Sequence, residues 1–309
     1  MFRACIYCLM KYLSTCQLPG WTRLQTNCLH LAQSKEDRFT IGIFRAKQLK
    51  EVSYYLQKHK EDLSMRVDVI ANVDEVRSDE FVQKSAVVID VLRATSTMIT
   101  ALAQGATGLL PVETVPQAQQ MRGDQTFVGG ERYYKKIPGF QAGNSPHDYM
   151  TPEVAGKLVV LTTSNGTRGL LKSHKAARIF AASFMNGTAC ASALLSFGKD
   201  AILLCSGCHN DFSLEDGLCA GMIIDAMESL SEAPLQLNDL GMAMKYSYRH
   251  CKGSLFETVM EGCAARQLVK LGFAHDVEYC TGIDTVPVVP YAKSEMILTP
   301  LFADACNRG

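Results

Sequence analysis

Residues 87–97 read VVIDVLRATST, and this stretch sets the first expectation for the fold. An apolar run that passes into a helix opening with Thr and Ser is typical of a buried parallel strand and its crossover helix. Asp90 ends the run, and a carboxylate there must be hydrogen-bonded, paired or metal-bound. Arg93, with Thr95 and Ser96 near the helix N-terminus, suits an anion. The alternative is a structural Asp90–Arg93 ion pair beside an ordinary helix cap.

The same alternation of apolar runs and helical segments continues along the chain. Strands are predicted at 67–71, 86–91, 108–112, 126–128, 158–162, 178–182 and 201–205. Helices are predicted at 94–103, 116–121, 167–173, 188–197, 214–230, 237–246 and 255–271, and a terminal β-hairpin at 285–289 and 295–298. This order predicts an α/β fold of three layers, α/β/α, with a largely parallel or mixed sheet. Its ligand should lie at the carboxyl ends of the strands.

Residues 128–146 are a second candidate segment, with little predicted structure of their own. They include Glu131, Arg132, Lys135, Lys136, Asn144 and Ser145. A connection of this length inside a domain is usually functional or disordered. The mixture of acidic, basic and amide groups suits an anionic ligand with a metal. A solvated surface loop is the open alternative.

Residues 161–168, LTTSNGTR, lead from a strand into a helix through hydroxyl side chains and one glycine. Gly166 can adopt a positive φ, so Thr163, Thr167 and nearby backbone N–H groups can surround phosphate oxygens. Asn165 and Arg168 add an amide and a positive charge. The Gly-Lys-Ser/Thr that closes a Walker A loop is missing. A weaker version of the same strand-turn-helix pattern at 182–188 suggests two similar subdomains.

The fourth segment, residues 205–216, reads CSGCHNDFSLED. Its Cys-x-x-Cys-His spacing occurs in c-type haem attachment, and Cys5-x-x-Cys8 offers a distant zinc partner, but neither context fits. The simpler interpretation is a strand that ends at Cys205 and a turn into a helix. Ser213 and Asp216 resemble a capping box. Glu215 is then available for a hard cation or as a base.

Charge and composition describe a globular protein with an unusual charge division. The chain has 309 residues, 31 Lys and Arg against 31 Asp and Glu, and 47% hydrophobic residues. A balanced charge disfavours a nucleic-acid binder, and no apolar run is long enough to span a bilayer. Residues 1–64 carry a net charge of +5, which leaves −5 for residues 65–309. Twelve cysteines at this length fit reduced, buried thiols better than disulfide bonds.

The basic N-terminal extension, residues 1–64, has three interpretations. Its first 35 residues contain no acidic residue, which is typical of an organelle transit peptide. A misassigned start and a poorly ordered extension explain the same composition. The expected location is therefore the cytoplasm, or an organelle reached by import through residues 1–35. Residues 65–309 are expected to form the functional α/β domain.

The four segments together resemble the 2-phosphosulfolactate phosphatase family, the magnesium-dependent phosphatases of coenzyme M biosynthesis. The matching pieces are VIDVLRATST (88–97), GER (130–132), KIPGF (136–140), GNSP (143–146), TTSNGTR (162–168), FSLEDGLCAG (212–221) and VPV (286–288). The resemblance implies a phosphoric monoester hydrolase that converts 2-phospho-3-sulfolactate to 3-sulfolactate and phosphate with Mg²⁺. The alternatives are a phosphatase for another small phosphorylated hydroxy acid and a non-catalytic anion-binding relative.

The resemblance also implies roles for residues of this chain. Asp90, Glu131 and Asp216 would be catalytic, and Asp90, Glu131, Glu215 and Asp216 would hold the metal. Arg93, Thr95, Ser96, Arg132, Asn144, Ser145, Thr163, Asn165, Gly166, Thr167 and Arg168 would bind the substrate. The partner expected is a small anionic phosphorylated substrate rather than nucleic acid or a membrane, and apolar helix faces permit a homodimer. Tyr133 and Tyr134 stand where the family often has small residues, which bears on the exact substrate.

Overall fold

The computed structural model describes residues 64–208, 211–293 and 296–302. Its strands are β1 (Met65–Ile70), β2 (Ser85–Ile89), β3 (Gly108–Pro111), β4 (Thr126–Arg132), β5 (Lys135–Lys136), β6 (Leu158–Thr162), β7 (Arg178–Ala182), β8 (Ala201–Cys205), β9 (Leu235–Leu237), β10 (Val288–Ala292) and β11 (Thr299–Phe302). Its α-helices are α1 (Ala94–Ala103), α2 (Val115–Gln120), α3 (Gly166–Lys172), α4 (Gly187–Phe197), α5 (Leu214–Leu230), α6 (Asp239–Cys251), α7 (Leu255–Met260), α8 (Cys263–Lys270) and α9 (Ala274–Cys280). The expectations for residues 1–63 lie outside the described residues.

The described strands form two sheets. The larger has the order β11-β10-β7-β2-β8-β1-β9, and the smaller has the order β3-β6-β4-β5. Neighbouring strands are parallel except where β10 pairs with β7 and β11, and where β5 pairs with β4. The predicted α/β class is confirmed, and so is a C-terminal strand pair. That pair lies at Val288–Ala292 and Thr299–Phe302, a few residues beyond the predicted positions.

The large sheet is buried on both faces, which explains why β2 is apolar throughout. Val87 and Ile89 pack into a core with α4, α5 and α8 on one face. Val88 faces the other way, into a core that contains residues of both sheets together with α1 and α3. Successive side chains of a strand point to opposite faces, so a sheet covered on both sides needs an unbroken apolar run. Helices α1 and α3 therefore share one core with both sheets.

Several element boundaries differ from the predicted ones for local reasons. The single helix predicted at 255–271 divides into α7 and α8, because Gly262 adopts an extended conformation with φ −66° and ψ 154°. The helix predicted at 237–246 begins at Asp239, where the Asn238 side chain accepts a hydrogen bond from the Gly241 N–H, and continues to Cys251. The short elements β5, β9 and α9 were not predicted.

Candidate active site

A cavity of about 490 Å³ lies at the carboxyl ends of strands from both sheets. β2 and β8 approach it from the large sheet, and β4 and β6 from the small one. Ten of the predicted site residues line it: Asp90, Arg93, Glu131, Arg132, Asn144, Thr163, Asn165, Arg168, Glu215 and Asp216. The four sequence segments, far apart along the chain, therefore meet at one place, as the rule for ligand sites in α/β sheets predicts.

Asp90 lies directly after β2 and is 8% exposed. Its Oδ1 accepts a hydrogen bond from the Ala94 N–H at 3.0 Å, at the beginning of α1. Burial raises the pKa of Asp90 to about 6, and the neighbouring Glu131 contributes in the same direction. The side chain is thus a buried acid held at a helix N-terminus, where backbone N–H groups partly compensate its charge.

Glu215 and Asp216 lie in the first turn of α5, and each is 2% exposed. Asp216 accepts hydrogen bonds from the Val91 N–H at 2.9 Å and the Gly207 N–H at 3.2 Å, which join the ends of β2 and β8. Burial raises the pKa of Asp216 well above its usual value and raises the pKa of Glu215 to about 7. Glu215 Oε2 is buried and has no hydrogen-bond partner among the described residues.

Glu131, the fourth carboxylate, is contributed by β4 and is 6% exposed. Its Oε1 accepts hydrogen bonds from the backbone N–H and the hydroxyl of Ser164, at 2.8 and 2.9 Å. Its Oε2 accepts a hydrogen bond from the Tyr134 N–H at 2.8 Å. These contacts fix the position of the carboxylate, while Oε2 keeps a further lone pair free.

The four carboxylates, Asp90, Glu131, Glu215 and Asp216, form the acidic floor of the cavity and fit a divalent cation. Asp90 raises the pKa of both Glu215 and Asp216, which reflects repulsion between negative charges at close range. The unpaired Glu215 Oε2 is a buried polar atom without compensation, and such an atom needs a ligand or a proton. Hard cations such as Mg²⁺ prefer carboxylate oxygens. A cation bound here would remove both the repulsion and the unsatisfied oxygen.

Arg93 brings a buried positive charge to the cavity and is 3% exposed. Its Nη1 forms an ion pair with Asp276 Oδ2 at 2.5 Å, and its guanidinium lies 4.4 Å from the centre of the Phe273 ring. The structural ion pair considered for Arg93 therefore exists, but its partner is Asp276 rather than Asp90. Asp276, on α9, was not identified from the sequence.

Two further arginines line the cavity. Arg132 donates to the carbonyl oxygens of Glu131 and Glu113 and to the Thr162 hydroxyl, at 2.7, 3.0 and 2.9 Å. Arg168 Nη2 forms an ion pair with Asp74 Oδ1 at 2.6 Å, with both side chains about 40% exposed. Together with Arg93 they place three guanidinium groups in the lining of the cavity that holds the four carboxylates.

Five predicted substrate-binding residues do not line the cavity; instead they hold its walls together. They are Thr95, Ser96, Ser145, Gly166 and Thr167. The hydroxyls of Thr95, Ser96 and Thr167 donate to the backbone oxygens of Asp90, Val91 and Thr163, and Ser145 donates to Asp276. A side chain at Gly166 would come within 2.7 Å of Asp90 Oδ2, so α3 can pack this close only with glycine there.

The turn between β4 and β5 contributes two residues that the family resemblance marked as unusual. Tyr133 and Tyr134 both have positive φ, 53° and 64°, in a two-residue turn where glycine or asparagine is usual. Tyr133 is 80% exposed at the mouth of the cavity. The hydroxyl of Tyr134 lies 3.1 Å from Cys208 Sγ and so connects the β4–β5 turn to the segment after β8 across the cavity.

The cysteine segment after β8 serves this cavity. Cys205 is fully buried in the core, whereas Cys208 lines the cavity. His209, Cys5 and Cys8, needed for the haem and zinc interpretations, lie outside the described residues. The predicted capping box is wrong: Ser213 makes no side-chain cap hydrogen bond, and Asp216 instead accepts hydrogen bonds from the backbone just after β2 and β8.

The segment at 182–188, which resembles the one at 161–168, has a different role. Asn165 donates to the Gly207 carbonyl at 2.9 Å and lines the cavity. Asn186, its counterpart 21 positions later, is fully buried and donates to the Val288 carbonyl at 2.9 Å, which attaches the turn after β7 to the C-terminal strands. Similar turns therefore serve the cavity in one case and the sheet in the other.

Comparisons with known proteins agree with this geometry. The family model described as 2-phosphosulpholactate phosphatase matches residues 70–295. A probable 2-phosphosulfolactate phosphatase of Clostridium tetani is 36% identical over 236 residues, which cover 75% of this chain and 100% of the relative. Proteins with the same name from Symbiobacterium thermophilum and Thermotoga petrophila are 35% and 40% identical over 226 and 210 residues, covering 72% and 67% of this chain and 97% and 88% of theirs.

The matched region contains all four segments and every carboxylate of the cavity. None of the helices in the described part of the chain has the length and hydropathy of a membrane span. Since the family model matches residues 70–295 and two of the relatives are 36% and 40% identical to this chain, the chain belongs to the 2-phosphosulfolactate phosphatase family.

Proposed function

We propose that this protein is a phosphoric monoester hydrolase that converts 2-phospho-3-sulfolactate to 3-sulfolactate and inorganic phosphate with the aid of Mg²⁺. Membership of this phosphatase family indicates dependence on a divalent metal. The observation that carries the proposal is the cavity in which four buried carboxylates adjoin three arginines. A magnesium phosphatase needs both groups, since the carboxylates hold the cation and the guanidinium groups bind the substrate anions.

The substrate's charge matches the distribution of charge in the cavity. 2-Phospho-3-sulfolactate carries phosphate, sulfonate and carboxylate groups, and each is an oxyanion that a guanidinium binds well. Arg93, Arg132 and Arg168 approach from different elements and so suit three separate anionic groups. The N-terminus of α1 adds backbone N–H groups beside Asp90. Since residues 65–309 carry a net charge of −5, attraction must come from this local cluster.

The metal would be held by Asp90 and Glu215, with Glu131 and Asp216 completing the acidic floor. Glu215 is the best placed for direct coordination because its Oε2 lacks any other partner among the described residues. A bound Mg²⁺ would stabilise negative charge on the phosphoryl oxygens and lower the pKa of a bound water.

Hydrolysis requires a base for the attacking water and an acid for the leaving oxygen. The oxygen of water bonds to phosphorus, the bond between phosphorus and the ester oxygen breaks, and the water proton passes to a carboxylate. The departing ester oxygen takes up a proton from a protonated carboxylate of the cavity and becomes the hydroxyl of 3-sulfolactate. Glu131 or Asp216 would serve as this base, since Glu215 is the carboxylate best placed to bind the cation. Asp90 would act either in metal binding or as a nucleophile that first takes the phosphoryl group. The stereochemistry of a chirally labelled phosphoryl group distinguishes the two, since one in-line displacement by water inverts the configuration at phosphorus, whereas two successive displacements through Asp90 retain it.

A second candidate substrate class is another small phosphorylated hydroxy acid. The observation in its favour is the Tyr133–Tyr134 turn, whose two aromatic side chains line the cavity where the family resemblance implies small residues. The test is release of inorganic phosphate from a panel of phosphorylated hydroxy acids, with and without Mg²⁺. Release that is fastest from 2-phospho-3-sulfolactate supports the proposal, and fastest release from another acid supports the second candidate. Binding without any release would indicate an anion-binding relative.

A further inference from the structure

A second group of metal-ligating side chains lies outside the cavity. His147 is contributed by the 3-10 helix Pro146–Tyr149, and His275 and Asp276 by the first turn of α9. One ligand atom from each of the three lies within 4.8 Å of the others. The acidic floor uses none of these residues, and hydrolysis gives the two histidines no role.

The three side chains converge on one oxygen. Asp276 Oδ1 lies 2.9 Å from His147 Nδ1 and 3.3 Å from His275 Nε2. Two ligands of a tetrahedral ion at bond lengths of about 2.1 Å are separated by about 3.4 Å, so two of the three separations are already close to those of a metal site. A small rotation of the imidazole rings would bring the third into range, since both histidines lie at the surface.

The carboxylate is fixed in position from behind. Asp276 is fully buried; Arg93 binds its Oδ2 at 2.5 Å, and the Ser145 hydroxyl donates to its Oδ1 at 2.7 Å. Partners of this kind orient a ligating carboxylate and determine much of a site's affinity. The imidazoles are 38% and 55% exposed, so an ion and a water to complete its coordination can enter from solvent.

We propose that His147, His275 and Asp276 form a second metal site, selective for a transition-metal ion of the zinc type. Two imidazole nitrogens and one carboxylate oxygen suit Zn²⁺, Co²⁺ or Ni²⁺, whereas Mg²⁺ prefers the all-oxygen floor of the cavity. The open fourth position leaves the site exchangeable. Because Asp276 also holds Arg93, an ion bound here contacts the residue that orients an arginine of the cavity.

The test is calorimetric titration of the full-length protein with Zn²⁺ in the presence of excess Mg²⁺, which keeps the carboxylate floor occupied. The wild type is expected to bind one equivalent that is lost in both H147Q and H275Q. The affinity should fall more than 100-fold in each variant, since losing a ligand exceeds the roughly 10–100-fold effect of losing an orienting partner. Zinc bound by thiols elsewhere would be unaffected by either substitution. The exposed His174 provides the control, because H174Q should retain the full stoichiometry.

Titration with Co²⁺ gives a second readout that does not depend on activity. The wild type should show the visible absorption of tetrahedral cobalt without the intense charge-transfer band of a thiolate ligand, and H147Q and H275Q should lose it. D90N should keep it, which separates this site from the cavity. Zinc binding by H147Q and H275Q equal to the wild type, or no zinc binding by the wild type in excess Mg²⁺, would overturn the proposal. Melting temperatures of the variants exclude unfolding as the cause of a loss.

Discussion

Arg93 and Asp276 form an ion pair of 2.5 Å between residues 183 positions apart, and their side chains are only 2% and 0% exposed. The pair joins the turn after β2 to α9. A buried guanidinium needs such a partner, because an unpaired charge inside a protein is very costly. The pair also fixes the direction in which Arg93 enters the cavity, so α9 orients the guanidinium that we propose binds the substrate.

Replacing Asp276 by asparagine should therefore damage stability and substrate binding together. We expect Asp276→Asn to lower the free energy of unfolding by about 3–5 kcal/mol, the usual effect of removing one partner of a buried pair. We expect KM to rise by about tenfold with a smaller change in kcat, since Arg93 loses its orientation. Urea unfolding and steady-state kinetics measure the two effects.

Asp225 provides the matched control for this substitution. It pairs with the partly exposed Arg249 at 2.5 Å, on the surface between α5 and α6. Exposed pairs contribute only about 0–1 kcal/mol, so Asp225→Asn should change stability little and leave KM unaltered. Equal effects of the two substitutions would show that burial of the Arg93 pair is unimportant.

Neutralising Asp90 should separate catalysis from folding. We expect Asp90→Asn to reduce Mg²⁺-dependent hydrolysis by at least about 100-fold, because the cation or the phosphoryl group loses a ligand. The fold should survive, since removing one of several clustered negative charges relieves repulsion. Phosphate release and melting temperature with and without Mg²⁺ measure this. Wild-type turnover in the variant would remove Asp90 from the reaction.

Stability without metal should fall as the pH rises from about 4 to 7. The pKa of Asp90 is raised to about 6 and that of Glu215 to about 7, chiefly by burial, so the folded protein binds more protons than the unfolded chain in this range. The free energy of unfolding then decreases with pH. Mg²⁺ binds the ionised carboxylates, so the increase in melting temperature that it causes should grow over the same range.

Calorimetric melting at pH 5, 6, 7 and 8, in EDTA or in Mg²⁺, tests this expectation. At a concentration 100 times its dissociation constant, Mg²⁺ should stabilise the protein by about 2.7 kcal/mol at pH 8, and by much less at pH 5. A magnesium effect of the same size at pH 5 and pH 8 would contradict a site made of these carboxylates. Asp90→Asn should flatten the pH dependence in EDTA.

Tyr134 should influence which substrate is accepted. Tyr134→Ala removes the ring that closes one side of the cavity, so kcat/KM should shift by about tenfold towards bulkier phosphorylated acids. Tyr134→Phe keeps the ring and loses only the hydroxyl beside Cys208, so it should retain the wild-type preference. A substitution of the exposed Tyr133 supplies a further comparison, because it changes the other ring of the same turn. An unchanged substrate preference in Tyr134→Ala would assign the ring a structural role alone.

Arg168 should act on ground-state binding. It lines the cavity and pairs with Asp74 at a partly exposed position. We expect Arg168→Ala to raise KM by about tenfold with little change in kcat, as for the loss of a contact made equally in ground state and transition state. Asp74→Asn frees the guanidinium without removing it and should leave KM unchanged or lower it. Unaltered KM and kcat in Arg168→Ala would exclude a binding role.

Much of the cavity could be inferred from the sequence because its carboxylates lie at or near the ends of apolar strands or the beginnings of helices. Asp90, Glu131 and Glu215 stand out there, since a charged residue next to a buried element needs a specific reason. Thr95 and Thr167 stand out in the same way, yet their hydroxyls bind the backbone. Residue type and position cannot distinguish a hydroxyl that faces a ligand from one that completes a turn.

The α/β class, most of the elements and the four segments of the cavity follow from local signals in the chain, namely periodicity, turn residues and polar groups at strand ends. The packing of the folded chain was needed to show that β3, β4, β5 and β6 form a second sheet, that Arg93 pairs with Asp276, and that Tyr134 reaches Cys208 across the cavity. Strand partners and ion pairs depend on which distant surfaces pack together. That choice rests on the burial of the whole core, and no local pattern records it.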